Sequence, residues 1–309
     1  MNTVDYHIPV LLKETVELLV QNKHGAYLDC TLGGGGHAKA ILENLEKDGF
    51  LLGIDRDKTA IEHTDEALKK FPNYKSENIS FSKVNELDQI VFGMKFDGIL
   101  LDLGVSSKQI DDHLRGFSYS GEGNLDMRMN TGEGLTAYDI VNTYGARELT
   151  EIFYKFGEER NSRKIAERIV QLREKKSICT TMELSNLISS VIPRNFRVKT
   201  LSRIFQALRI EVNKELDELN TVLKLSLDIL KPEGRVAVIS YHSLEDRIVK
   251  KFIAEYSTGC DCPKELPRCV CNKKPIIKAI TKKPVCATEK EIIQNSRARS
   301  AKLRVFEKI

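Results

Sequence analysis

No stretch of this 309-residue chain approaches the ~18 uninterrupted apolar residues that a membrane-spanning helix needs. Internal repeats and low-complexity tracts are also missing, which argues against solenoids and disordered arrays. Seven cysteines in a chain this long do not make a disulfide framework. Three of them, Cys30, Cys179 and Cys286, scatter among apolar or mixed neighbours and read as reduced structural cysteines. The net charge of +4 is too small to define a partner by itself. What is abundant is an ordinary globular mixture, 41% hydrophobic and 30% charged, at a length that predicts two domains. The first residues, MNTVDYHIPVLLKETVELL, carry acidic and polar side chains inside an apolar pattern. They predict an amphipathic helix rather than a signal peptide, and a cytoplasmic protein is expected.

The charge is unevenly spread. Residues 160–209 hold 12 Lys/Arg against 3 Asp/Glu, and residues 264–308 hold 13 against 4, so the remainder is acidic. Two excesses of that size suit either contact with a polyanion or solvated helix faces.

Short apolar runs alternate with helical patterns through the first hundred residues. Strands are expected at 26–31, 49–55, 79–84 and 96–103, with helices over 37–45 and 58–70. That alternation predicts a parallel sheet covered on both faces. From about 111 to 211 the pattern is helical, with amphipathic segments at 146–156, 162–175 and 181–191. The first pattern returns with a helix over 212–230, stopped at Lys231-Pro-Glu-Gly, a strand over 235–240 and a helix over 244–256. β-rich stretches at 276–282 and 302–307 end the chain. The expected architecture is a doubly wound α/β domain, 1–110 with 212–309, interrupted by a helical insertion at 111–211. The insertion leaves after the fourth strand, at the edge where such sheets bind ligands.

Between the first strand and its helix lies DCTLGGGGH, residues 29–37. Glycines there permit a tight turn and the approach of a ligand to main-chain N–H groups, although a bare turn needs them too. Asp55 ends the next strand, where a carboxylate can accept hydrogen bonds from both ribose hydroxyls of an adenosine. Its alternative task, capping the helix at Lys58, suits Asp57 equally well. Asp102 ends the fourth strand. A nicotinamide dehydrogenase shares the glycine loop and Asp55, but not the insertion or the antiparallel ending. The pattern therefore favours S-adenosylmethionine over a dinucleotide.

Several motifs then resemble one family. HIPVLLKE at 7–14, GGGGH at 33–37, GIDRD at 53–57, DGILLDLGVSS at 97–107 and LDMRM at 125–129 are similar to the bacterial 16S ribosomal RNA cytosine-N4 methyltransferases. So are SYHSLEDR at 240–247 and NSRARSAKLR at 295–304, and the match runs in order to the C-terminus. The resemblance implies a Rossmann-like class I methyltransferase domain, with a mostly parallel sheet, an antiparallel C-terminal strand and a helical insertion. It implies methyl transfer to the exocyclic amine of one cytosine in the decoding centre of 16S rRNA, within the small ribosomal subunit. Implied cofactor contacts are Gly35, Gly36, His37, Asp55, Asp102 and Gln109. The family's aromatic residue after the third strand is missing here, and Glu86 takes the aligned position.

Cytosine N4 is a poor nucleophile because its lone pair is delocalised into the ring. It must be held in line and its developing positive charge stabilised. Asp102 is the first candidate for that task, with carbonyls near Leu103 and Gly104 as the alternative. His242 is the second, either as proton acceptor or as a hydrogen-bonded loop histidine supporting the site. The target base must leave its stack to reach such a pocket. Arg194, Arg197, Lys199 and Arg203, with Phe196 interleaved, form the expected RNA contact. Cys260, Cys262, Cys269 and Cys271 offer four thiolates suited to structural zinc, or else a loop of free cysteines. A ribosome-assembly factor that binds RNA and S-adenosylmethionine without turnover is the rival reading.

Overall fold

The computed structural model describes residues 9–87, 93–260, 262, 271 and 273–309. His7 and Cys269 lie outside them. The chain divides into two compact units, Met1–Gly104 with Leu216–Ile309, and Val105–Glu215.

The first unit is built on one sheet. Its strands are β1 (Ala26–Asp29), β2 (Phe50–Asp55), β3 (Tyr74–Asn78), β4 (Phe96–Asp102), β5 (Leu230–Ser240), β6 (Ile277–Ala279), β7 (Val285–Cys286) and β8 (Lys302–Lys308). The order is β3-β2-β1-β4-β5-β8-β6, with β7 also paired to β8. Strands β1 to β5 run parallel, and β8 is antiparallel to β5, β6 and β7. Successive side chains of a strand point to opposite faces, and both faces here are covered. Leu28, Leu52, Ile54, Ile99, Leu101 and Val238 pack on one side with Phe252 and Ile253. Tyr27, Leu51, Leu100, Ala237 and Ile239 pack on the other with Leu19 and Ile41. The helices α1 (Leu12–Leu19), α2 (Gly36–Asn44) and α3 (Lys58–Leu68) belong to this unit.

Strand order reverses between β1 and β4, so the carboxyl ends of these neighbours form the sheet's switch point, where doubly wound folds bind ligands. Asp29 ends β1 and Asp102 ends β4.

Two expected elements are corrected. The third strand lies at Tyr74–Asn78, not 79–84, and Phe81–Glu86 forms a 3-10 helix. Strand β3 pairs only with β2, so this edge needs little apolar sequence, whereas Phe81 and Val84 plug the core from one helical face. The helix expected over 212–230 is divided at Lys214, whose φ is 50°. One helix ends at Asn213, the next runs Glu215–Ile229, and β5 begins at Leu230.

The second unit gathers the helices Ala137–Thr143, Ala146–Lys155, Ser162–Arg173, Thr181–Val191 and Arg197–Asn213. Their apolar stripes meet in a core that includes Leu149, Phe153, Ile165, Leu184, Ile204 and Leu208. Thr136 with Asp139 and Thr180 with Glu183 close reciprocal capping boxes at two of the helix starts. Among the described residues no helix is long and apolar enough to cross a membrane.

Candidate functional site

The glycine loop between β1 and α2 divides its labour. Gly35 caps α2 in the left-handed region at φ 75°, and an added Cβ would lie 2.6 Å from Thr64 Cγ2. At Gly36 a Cβ would lie 2.2 Å from Pro9 Cγ. Both glycines thus serve close packing. Gly33, at φ 49°, faces open space, with only the Thr31 carbonyl 3.7 Å from an added Cβ. Unlike Gly35 and Gly36, it leaves room beside the loop for a ligand.

Asp55, half-buried at the end of β2, accepts the Gly33 N–H at 2.9 Å and the Asp57 N–H at 2.8 Å, one on each carboxylate oxygen. Asp57 caps α3 through Thr59 N–H, so Asp55 is spared that task. Burial pushes the Asp55 pKa up, against the pull of the two N–H groups. Each carboxylate oxygen keeps a further lone pair for another donor. An open glycine position beside an oriented carboxylate fits an adenosine-bearing ligand with ribose hydroxyls.

At the switch point Asp102 is held from three sides. Its N–H donates to Thr31 Oγ1 at 2.6 Å, and its Oδ1 accepts the Tyr241 hydroxyl at 2.8 Å. Its Oδ2 lies 3.4 Å from Nδ1 of the buried His37, whose Nε2 meets the Val10 carbonyl at 3.1 Å. Burial of the His37 ring works against its charged form, but the Asp102 carboxylate outweighs this and raises the pKa. The Tyr241 pKa lies well above its ordinary value, first through burial and then through Asp102. Gly104 lies against the Tyr241 ring, where an added Cβ would sit at an ordinary contact distance of 3.4 Å, and it is the positive φ of 97° that favours glycine. Tyr241 carries no signal of its own in the sequence beyond its place in the motif at 240–247.

His242 caps the helix Ser243–Ser257. Its Nδ1 accepts the Glu245 N–H at 3.4 Å, and its Nε2 is 3.1 Å from Oε1 of the buried Glu245. Both ring nitrogens of His242 thus face Glu245, at the start of this helix. Asp246, next along, binds Arg304 Nε at 2.7 Å and Lys302 Nζ at 3.1 Å. The two family-like motifs near the C-terminus therefore clamp one another.

Asp29 is 1% exposed and accepts the Thr31 N–H at 3.0 Å. Burial raises its pKa to about 6. A raised carboxyl pKa means the folded state favours the neutral acid. That contribution is complete below pH 3.8 and is lost as pH rises through about 6. At 1.36 kcal/mol per unit it is on the order of 3 kcal/mol. An asparagine side chain at this position would keep an acceptor for Thr31 without the charge. Asp29→Asn is therefore expected to gain stability relative to the parent as pH rises across this window. Urea denaturation at both ends of the window checks it; a constant difference would mean the carboxyl is not shifted.

Glu86 is exposed at the end of the 3-10 helix. Gln109 belongs to the second unit, where its Oε1 accepts the Ser106 N–H in a capping box. Also in that unit, Arg194 and Lys199 are exposed beside the 54% exposed Phe196. Arg197 Nε donates to the Ile192 carbonyl, and Arg203 lies 3.4 Å from the buried Glu159. Cys260, Cys262 and Cys271 come together, with sulfurs within 4.8 Å of one another.

Relatives match the sequence over nearly its full length. A protein of Caldicellulosiruptor bescii named ribosomal RNA small subunit methyltransferase H is 52% identical over 304 residues, covering 98% of this chain and 99% of that one. A protein of the same name from Fusobacterium nucleatum is 46% identical over 306 residues, covering 99% and 98%. The MraW methylase family profile matches residues 5–309. The chain is a member of the MraW methylase family, with the Rossmann-like sheet of an S-adenosylmethionine-dependent methyltransferase.

Proposed function

We propose that this protein methylates the exocyclic N4 of a cytosine in the decoding centre of small-subunit ribosomal RNA. The relatives' names supply the ribosomal RNA of the small subunit. The observation that carries the chemistry is the Asp102 carboxylate, anchored at the switch point by Tyr241 and His37 with lone pairs to spare. S-adenosylmethionine supplies an electrophilic methyl carbon next to a sulfonium. Gly33 would give the cofactor room and Asp55 would accept its ribose hydroxyls.

Asp102 accepts one N–H of the cytosine amine, which orients the nitrogen lone pair and stabilises the positive charge that grows on it. The same carboxylate can take the proton after transfer. His242 is poorly suited to that step, because the lone pair of its Nδ1 already receives Glu245 N–H. Its part is to position the loop that carries Tyr241.

The deciding experiment offers labelled S-adenosylmethionine with small subunits lacking the modification, and naked rRNA in parallel. Mass spectrometry of the digest is expected to find N4-methylcytosine at a single site. Cofactor binding without transfer to either substrate would favour an assembly factor instead.

The exposed Arg194 and Lys199, flanking Phe196, are assigned to RNA phosphate contact with stacking between them. Replacing both by glutamate is expected to flatten the dependence of log affinity on log salt by about 1.4 or more, near 0.7 for each lost contact. An unchanged slope would remove them from the interface.

A further inference from the structure

The loop that leaves the helix Ser243–Ser257 and returns to β6 is tied at its base, where Ile276 N–H donates to the Tyr256 carbonyl at 2.9 Å. Gly259 and Pro275 meet just above, with an added Cβ on the glycine 3.3 Å from the ring. Within this loop Cys260, Cys262 and Cys271 bring their sulfurs within 4.8 Å of one another. Neither apolar burial nor secondary structure explains the gathering: Cys260 and Cys271 are exposed and Cys262 is half-buried.

From these contacts we infer that the three cysteines bind a zinc ion as thiolates. The sulfur spacing discriminates among the alternatives. Cys260 Sγ and Cys271 Sγ are 3.9 Å apart. Two sulfurs of a tetrahedral site with Zn–S bonds of about 2.3 Å stand roughly 3.8 Å apart, whereas a disulfide requires about 2.05 Å. The Cys262 N–H points at Cys260 Sγ from 3.4 Å, the donor that a metal-bound thiolate sulfur attracts. As thiolates, sulfurs this close would repel one another, and a soft divalent ion with sulfur affinity between them would remove that repulsion. Binding releases one proton from each thiol and changes no oxidation state. The ion has a structural part, closing the loop between the helix Ser243–Ser257 and β6 and so reducing its entropy.

The test is metal analysis of the full chain, purified without a histidine tag or chelator under reducing conditions and equilibrated with zinc. One zinc per chain is expected, falling to background in Cys260→Ser/Cys271→Ser. Cys286→Ser, on β7 and outside the cluster, should keep its metal. Should the double variant fold poorly, alkylation of the unaltered protein decides. Zinc is expected to protect Cys260, Cys262 and Cys271 while Cys286 reacts, and a chelator should abolish the difference. Absence of stoichiometric zinc, equal alkylation of all exposed cysteines, or a Cys260–Cys271 disulfide in the reduced preparation would each overturn the assignment.

Discussion

Asp102→Ala is expected to lower the rate of methyl transfer about a hundred- to ten-thousand-fold, the range for losing a positioned acceptor of charge or proton. The substitution also strips the Tyr241 hydroxyl and the His37 ring of their shared partner. Each orphaned group costs about 1–3 kcal/mol, so folding must be verified beside the assay. Two companions separate chemistry from structure. Asp102→Asn keeps the shape and one acceptor oxygen but loses the charge, so it should be nearly as inactive while staying better folded. Tyr241→Phe keeps the ring on Gly104 and removes one hydrogen bond from the carboxylate, so its rate should fall much less. A folded Asp102→Ala protein transferring methyl groups within about threefold of the parent would show that the acceptor lies elsewhere.

A loss of stability is expected from Asp246→Ala. Arg304, 8% exposed, and Lys302 both end on this carboxylate, tying β8 to the helix Ser243–Ser257. Arg304 holds the Asp246 pKa below its ordinary value even though burial pushes the other way. Removing Asp246 leaves the part-buried Arg304 guanidinium without its charged partner and costs about 1.5–3 kcal/mol. Arg304→Met in the same protein removes that orphaned charge, so the double variant is expected to recover part of the loss. Urea unfolding of the single and double variants forms the cycle that checks this. Additive losses would show that the pair is not coupled. The depressed pKa also fixes the sign of the pH dependence: this contribution is present above the ordinary carboxylate range and fades as acid protonates Asp246.

Some features are legible along the chain because they are local. The runs that become β1, β2, β4 and β5 announce themselves by apolar density, since strands buried on both faces have few polar positions. That a carboxylate caps the helix at Lys58 is equally readable, because a cap is decided within three residues of the helix it serves, although only the Thr59 N–H on Asp57 settles which one does so. Strand β3 is misplaced by sequence because an edge strand with exposed polar residues looks like a loop, while the apolar Phe81 and Val84 beyond it look like a strand. Arg203 looks like its basic neighbours until the fold brings Glu159, 44 residues away, to face it.

The alternation of elements, the glycine turn and the carboxylates at the strand ends can be read along the chain, since these rest on backbone conformation and short-range periodicity. Tertiary structure decided that Gly33 stays open while Gly35 and Gly36 are packed, because that depends on Thr64 and Pro9 arriving behind those two. It also decided that Tyr241, 139 residues from Asp102, orients the carboxylate, and that Asp246 and Arg304 hold two distant motifs together. Contacts of that separation leave no periodic trace in one dimension. They exist only once the sheet sets β4, β5 and β8 side by side.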